Sequence, residues 1–325
     1  MKNKTVLVTG AAGFIGSHLT EHLVKLGAKT RALVRYSSTG TAGWLDQSPV
    51  RNDIEVCLGD VRDPDSLQKA MKGADVVFHL AALIGIPYSY EAPLSYVRTN
   101  VEGTLNVLQA ARELGVSRVI QTSTSEVYGN APEFPITELT PLRGQSPYSA
   151  SKISSDQLAY SYFCSFKLPV VILRPFNTYG PRQSARAVIP TIISQALTQN
   201  EIRLGNLTAT RDLTYVSDTC DGFVKAAGSA TAPGEVIQLG TGRDVSVAFL
   251  AETVLKILGK KLPVVCSEDR VRPEASEIDR LLSSPEKANA MLGWKPTIAI
   301  EEGLAKVVEW MRPNIGAYRA DKYVV

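Results

Sequence analysis

Apolar, β-branched runs alternate with helical stretches through the first half of the chain. Thr5-Val6-Leu7-Val8-Thr9 reads as a strand and Gly10-Ala11-Ala12-Gly13-Phe14-Ile15-Gly16 as a glycine turn; Leu19, Leu23, Val24 and Leu26 then mark one side of a helix. Further strands are predicted at residues 30–34, 54–58, 74–80 and 116–122, with an amphipathic helix at 100–114. A helix runs on from Lys152 through Leu158 and Tyr162, and residues 168–173 form another buried strand. Strand and helix in alternation predict a parallel sheet with helices on both faces, so the expected fold class is α/β, a Rossmann-type doubly wound parallel sheet. Beyond this the strict alternation fades. Arg174-Pro175-Phe176-Asn177-Thr178-Tyr179-Gly180-Pro181-Arg182 reads as a rigid, polar-edged loop, and Arg270-Val271-Arg272-Pro273-Glu274 as a basic turn. Shorter elements are expected at 188–190, 210–216 and 236–240, with helices at 249–258 and around Trp310. The second half thus reads as a smaller C-terminal lobe, fed by several crossings of the chain and covering the C-terminal edge of the sheet.

The first strand, turn and helix have the order of a dinucleotide-binding unit. Gly10 permits the tight turn, Gly13 lets the backbone approach a pyrophosphate, and Gly16 allows the helix to sit close on the strand. The start of the helix offers amide donors and a favourable dipole to phosphates. At the end of the second strand, where an acid would favour the free 2′-hydroxyl of NAD, stands Arg35-Tyr36-Ser37-Ser38. An arginine there can pair with the 2′-phosphate of NADP, which favours NADP over NAD; the alternative is a solvated arginine with NAD held through backbone contacts. Asp60, after the third strand, suits either a helix cap or a hydrogen bond to an adenine amine. Ala81 and Ala82 are small where the backbone passes close to a ligand.

Composition narrows the function classes. The 325 residues are 44% hydrophobic and 21% charged, with a net charge of +3, which offers no broad basic surface for nucleic acid. Cys57, Cys164, Cys220 and Cys266 lie far apart, a usage that fits a reducing cytosol better than a disulfide framework or a zinc site. His18, His22 and His79 follow no metal-binding pattern. No apolar run is long enough to span a bilayer, and Gly10, Gly13 and Gly16 interrupt the first one, so a signal peptide is not expected. A cytoplasmic location is the expectation.

Residues 119–152 hold the densest set of reactive groups. Ser123-Thr124-Ser125-Glu126 follows an apolar strand directly, and Tyr148 and Lys152 stand four apart, which places them on one helix face.

With these motifs the chain resembles the extended short-chain dehydrogenase/reductases, specifically the NAD(P)-dependent nucleotide-sugar epimerase/dehydratase family. The likeness extends over nearly the whole length and rests on Thr9 to Gly16, Gly59-Asp60, His79-Leu80-Ala81-Ala82, Asn100, Tyr148-Ser149-Ala150-Ser151-Lys152, Arg174 to Pro181, and Arg211-Asp212. Ile86-Pro87-Tyr88-Ser89-Tyr90 and residues 122–129 and 181–190 resemble most the UDP-N-acetylglucosamine 4,6-dehydratases that retain configuration at C5. The resemblance implies a dinucleotide-binding domain over residues 1–175, with crossings from the second half, and a lobe over residues 176–325 that mainly binds a nucleotide sugar. It implies cofactor contacts from Gly10, Gly13, Phe14, Ile15, Gly16, Arg35, Asp60, Val61, Leu80, Ala81, Ala82, Asn100, Tyr148, Lys152 and Pro175. Asn177, Arg211 and Arg272 would grip the substrate diphosphate, with Val188 near the uracil; Arg182 and Arg186 suit that role or an ordinary surface one. A homodimer through the helices around 100–114 and 152–163 is also implied.

The reaction so implied starts with oxidation at C4 of the sugar. A free phenol titrates near ~10, and a neighbouring ammonium lowers that, so Tyr148 with Lys152 is the expected base. Lys152 would also hold the nicotinamide ribose, while Ser123 and Thr124 orient the sugar hydroxyl. The C4 ketone acidifies C5, and Glu126 is the expected base there. Water is then lost across C5/C6, the hydride returns to C6, and a tightly bound cofactor is recycled. Ser125 stands where the family's dehydratases carry an aspartic acid that protonates the leaving hydroxyl. Glu126 acting twice, a relaying water or a different reaction would each accommodate it. UDP-glucuronate decarboxylation, 5,6-ene formation and C4 epimerisation are the alternative outcomes, and a non-catalytic dinucleotide sensor would need none of Glu126, Tyr148 and Lys152.

Overall fold

The computed structural model describes residues 1–267 and 274–318. The chain opens with β1 (Thr5–Thr9), α1 (Phe14–Lys25), β2 (Lys29–Val34), β3 (Ile54–Leu58), α2 (Pro64–Met71) and β4 (Val76–His79). Short helices α3 (Ile86–Glu91) and α4 (Pro93–Tyr96) lead through a π-helical stretch, Val97–Glu102, into α5 (Gly103–Glu113). The helical region therefore begins before residue 100, because Pro87 and Pro93 each stand in the first turn of a helix, where the missing amide costs nothing. Next come β5 (Arg118–Thr122), α6 (Pro147–Phe166), β6 (Val170–Pro175), β7 (Asn177–Tyr179), α7 (Val188–Thr198), β8 (Ile202–Leu204), β9 (Thr210–Tyr215) and α8 (Val216–Gly228). The chain continues with β10 (Val236–Leu239), β11 (Asp244–Ser246), α9 (Val247–Leu258), β12 (Val264–Cys266), β13 (Arg280–Leu281), α10 (Glu286–Leu292) and α11 (Ile300–Met311).

Seven parallel strands form the main sheet in the order β3-β2-β1-β4-β5-β6-β10. Alternate residues of β1 feed opposite faces, as a pleat requires. Val6 and Val8 join Leu19, Leu23 and Phe223 on the α1/α8 side, while Leu7 joins Leu67, Val107 and Leu108 on the other. The sheet is thus completed from the second half of the chain, by β10 at its edge and by α8 against α1. The expected loop at 174–182 is in part strand. β6 runs to Pro175 and β7 pairs in parallel with β9, because Phe176 and Tyr179 are both buried. Residues 188–190 likewise extend into a full helix, whose Ile189, Ile192, Ile193 and Ala196 form one buried stripe. Among the described residues no helix is long and apolar enough to cross a membrane.

Helix α6 starts earlier than its apolar pattern suggested. Ser146 caps it by accepting the Ser149 amide at 3.1 Å, and the Ser149 hydroxyl accepts the Ser146 amide at 3.0 Å. Its buried face is polar: Tyr148, Ser149, Ser151, Lys152, Ser155 and Asp156 all point inward. A helix whose hidden side carries these groups has no apolar stripe for a sequence pattern to find.

Candidate active site

The strand order reverses between β1 and β4, and a crevice at the C-terminal ends of such strands is where open α/β sheets bind ligands. Parallel register aligns Thr9 with His79, His79 with Gln121, and Thr122 with Leu173, so the turns after β1, β4, β5 and β6 meet at one edge.

The glycine turn is built to let backbones touch. Gly10 has φ +70°, and a Cβ on it would lie 2.8 Å from the Ala81 nitrogen. A Cβ on Gly16 would fall 2.1 Å from the Gly10 carbonyl oxygen, so no other residue lets α1 seat on the turn. At Gly13 the same atom meets only the Gly10 oxygen, at 3.3 Å, which leaves its outer side open. Helix α1 begins there, at Phe14 and Ile15, with no side-chain cap and no acid in its first turn. Its free amides and dipole are therefore available to an anion, and the turn fits a dinucleotide pyrophosphate.

The turn after β4 is pinned by hydrogen bonds. Thr9 Oγ1 accepts the Leu80 and Ala81 amides, both at 3.1 Å, so its own proton goes to His79 Nδ1 at 2.8 Å. His79 then donates from Nε2 to Thr104 Oγ1 at 3.1 Å, and burial lowers its pKa to about 3, so it stays neutral. Asn100, expected among the cofactor contacts, has its side chain bonded within the protein. Its Nδ2 donates to the Leu83 carbonyl and to Ser151 Oγ, both at 2.9 Å, and its Oδ1 accepts the Leu83 amide at 2.8 Å. It fastens the 80–83 loop to α6. Val61 is a core side chain set against Gly103, and Ala82 and Pro175 stand at the ends of β4 and β6. Arg35 is exposed at the end of β2. Nearby Asp60 is held by Arg62 at 3.0 and 2.6 Å, which keeps the carboxyl below its ordinary range, with Arg35 adding to the effect.

The reactive groups converge as the helical spacing foretold. Tyr148 and Lys152 are buried side by side on α6, and the Thr124 hydroxyl hydrogen-bonds the phenol. Burial raises the Tyr148 pKa, which Thr124 partly offsets and the Glu126 charge reinforces. Lys152 donates to the Thr122 carbonyl at 2.5 Å, and burial lowers its pKa to about 8 against the opposing pull of Asp156. Residues Ser125–Tyr128 form a single 3-10 turn in which the Glu126 amide is held by Thr124 Oγ1 at 3.2 Å, leaving the Glu126 side chain half-buried at the strand end. Ser125 is buried, with no hydrogen bond to its hydroxyl among the described residues. Ser123, expected to orient the sugar, donates to Asp156 Oδ2 at 2.7 Å. Tyr96 stacks edge-on to Tyr148 with centroids 6.3 Å apart and hydrogen-bonds the Gly85 carbonyl.

On the opposite wall, the β7–β9 register sets Asn177 beside Leu213, two residues from Arg211. Asn177 Oδ1 is buried without a hydrogen-bond partner among the described residues, and Val188 opens α7 nearby. Arg211 pairs with Glu277 at 3.3 Å and donates to the Thr210 carbonyl at 2.9 Å. Arg182 is turned away from the crevice, tied to Glu21 at 2.9 Å and Ser17 at 3.2 Å, and so clasps α1. The Arg186 guanidinium lies over Gly85, where a Cβ would meet Nη1 at 2.0 Å. Arg272 lies outside the described residues. Asp156, Arg174 and Tyr128 lie beside these groups and were given no role from the sequence, although Arg174 and Tyr128 fall within the resembling stretches; Asp156 continues the Tyr148/Lys152 spacing by one more turn, which is the signal that was there to use.

The family model for GDP-mannose 4,6 dehydratase matches residues 7–307. The dTDP-glucose 4,6-dehydratase of Streptomyces antibioticus is 34% identical over 314 residues, covering 95% of this chain and 92% of that protein. A dTDP-glucose 4,6-dehydratase from Streptomyces venezuelae, solved with NAD bound, superposes with a TM-score of 0.88 at 30% identity, covering 98% of this chain and 100% of the other. The UDP-N-acetylglucosamine 4-epimerase of Methanobrevibacter ruminantium, solved with UDP-N-acetylmuramic acid, gives a TM-score of 0.88 at 31% identity, covering 97% of this chain and 100% of the other.

Proposed function

The chain belongs to the GDP-mannose 4,6-dehydratase family of nucleotide-sugar dehydratases and epimerases, and from that premise we propose that it is a 4,6-dehydratase acting on UDP-N-acetylglucosamine. The observation that carries this reading is the Glu126 carboxylate at the end of β5, beside the buried Tyr148/Lys152 pair. A C4 epimerase needs only the alcohol-oxidising pair; a base for C5 is what elimination adds.

Tyr148, as phenolate, takes the proton from O4, with Thr124 orienting the two oxygens and the Lys152 ammonium stabilising the phenolate. A nicotinamide dinucleotide, held by Gly10, Gly13, Gly16 and the start of α1, supplies the acceptor for the C4 hydride and returns it at C6, so it is not consumed. Glu126 removes the C5 proton once C4 is a ketone. Within the 123–129 turn Glu126 is the one carboxyl, so we assign it the return of that proton to the leaving C6 hydroxyl as well. The proton Tyr148 takes from O4 equals the one C5 must regain, which makes the cycle proton-neutral. Asn177 and Arg211 hold the diphosphate in this scheme, with Val188 at the uracil.

Incubation with UDP-N-acetylglucosamine tests the reading by product mass. Loss of one water is expected. An isomer of unchanged mass would mean C4 epimerisation, a dehydrated product of the same mass carrying a 5,6-alkene and a C4 hydroxyl (separated by NMR) would mean 5,6-ene formation with the hydride returned to C4, and release of CO2 from UDP-glucuronate would mean decarboxylation. Cofactor bound with no sugar turned over would revive the sensor.

For the cofactor we favour NADP. The end of β2 carries Arg35 where an acid would select NAD, and the nearest acid, Asp60, is engaged by Arg62. Titration of the cofactor-free protein should show NADP binding at least about tenfold tighter, a gain typical of one charge-assisted phosphate pair; equal or tighter NAD binding would refute it. The enzyme is taken to be cytoplasmic and to pair with a second copy through α5 and α6, where Leu105, Tyr160 and Phe166 are exposed.

A further inference from the structure

Behind Lys152 lies a buried ion pair that the chemistry above leaves unused. Asp156, one turn further along α6, is 1% exposed, and Arg174, on β6, is 3% exposed. Asp156 Oδ2 receives three donors: Arg174 Nε at 3.1 Å, Arg174 Nη2 at 3.0 Å and Ser123 Oγ at 2.7 Å. Three donors on one oxygen favour the anionic carboxylate, although burial on balance pushes this carboxyl up and its Oδ1 is buried with no hydrogen-bond partner among the described residues. Arg174 uses its remaining nitrogen to reach the Tyr128 hydroxyl at 2.9 Å.

The placement of these bonds is what matters. Ser123 immediately precedes Thr124, which holds the Tyr148 phenol, and Tyr128 closes the turn that carries Glu126. One carboxylate therefore joins the helix bearing Tyr148 and Lys152 to the strand end bearing Thr124 and Glu126. We propose that Asp156 is a positioning residue: bonded to Arg174 and Ser123, it sets a carboxylate one helical turn from Lys152 and fixes the Tyr148/Lys152 helix against the Thr124–Glu126 turn. The inference rests on the alcohol-oxidising role of Tyr148 and Lys152 and is independent of whether water is then eliminated.

Lys152 faces few other charges. On its own helix are Tyr148 and Asp156; on β4 is His79, which burial keeps neutral; at the end of β5 is the uncharged Thr122 carbonyl. The turn after β5 contributes Glu126 and Tyr128, α4 contributes Tyr96, and β6 contributes Arg174. Of these, Asp156 is the charge that opposes the effect of burial on Lys152. An open pocket of about 260 Å³, lined by Gln157 and Tyr160, also touches the Asp156–Arg174 pair.

Asp156→Asn removes the charge at nearly constant shape. Lys152 then loses its proton more easily, and the Tyr148 phenol, which Asp156 also pushes up, ionises more easily. Both limbs of the pH profile of kcat/KM for UDP-N-acetylglucosamine should move to lower pH, the alkaline one by about one unit, as expected for loss of a nearby opposite charge. The same downward shift should be seen without cofactor, in the ¹³Cε-lysine NMR titration of Lys152, assigned by its absence in Lys152→Met. A residue that served only the fold would lower kcat and leave the limbs in place. If a lone buried guanidinium prevents D156N from folding, the double variant D156N/R174Q, which removes both charges, takes its place with the same expected direction. Unmoved limbs and an unmoved Lys152 titration in either folded variant would overturn the proposal. Wild-type protein that turns over no nucleotide sugar while the NMR shift is still seen would overturn the proposed function instead.

Discussion

Tyr148→Phe leaves dinucleotide affinity within about twofold of wild type and lowers turnover by about 10³-fold or more, within the range for loss of a general base. The ring is kept, so the edge-on contact with Tyr96 and the burial against Ile86 and Leu83 survive. What is lost is the oxygen that Thr124 hydrogen-bonds and that, in the proposed reaction, takes the O4 proton. Burial raises the phenol's pKa, so in the cofactor-free protein it is neutral at pH 7; it becomes a base only through positive charge brought next to it. Lys152 supplies part of that charge, and its own lowered pKa of about 8 sets an alkaline limit. Turnover should therefore rise with pH as the phenol ionises and fall again as Lys152 loses its proton. Activity of the phenylalanine variant within tenfold of wild type would remove Tyr148 from the mechanism.

Glu126→Gln separates oxidation from elimination. The amide keeps the size of the side chain and the 3-10 turn, since the turn is held through the Glu126 backbone amide and Thr124 Oγ1. It cannot accept the C5 proton, so water loss should fall by about 10²–10⁴-fold. Oxidation at C4 needs only Tyr148, Thr124 and Lys152, so mixing enzyme, cofactor and sugar nucleotide should give a burst of reduced dinucleotide that persists. Water loss at a near wild-type rate would show that another group does this work and would leave Glu126 as a wall of the pocket.

Much of the site was readable before the chain was folded. The turn from Gly10 to Gly16 states its own geometry, because a tight turn and a helix seated on it exclude side chains by simple overlap. Tyr148 and Lys152 were readable as neighbours because a helix brings residues four apart onto one face. The π-helical entry to α5, the polar buried face of α6, and β7 inside an expected loop were not readable. Each departs from the apolar periodicity on which such expectations rest. Arg182 shows the same limit for charge: its position after a family motif left a substrate contact and a surface role both open, while its partners Ser17 and Glu21 lie more than 160 residues earlier on α1.

By itself, then, the sequence determined the alternation of strands and helices, the glycine turn and the Tyr148/Lys152 pair, because each is set by spacing within a few residues. Tertiary structure alone decided that β10 closes the sheet, that Ser123 donates to Asp156, and that Asp156 pairs with Arg174. The two Asp156 contacts join residues 18 and 33 positions apart, between a helix, a strand and the end of the neighbouring strand. They exist because β5 and β6 lie side by side and α6 covers them, burying charges that must then find each other. Short-range periodicity carries no record of which distant partners such burial selects.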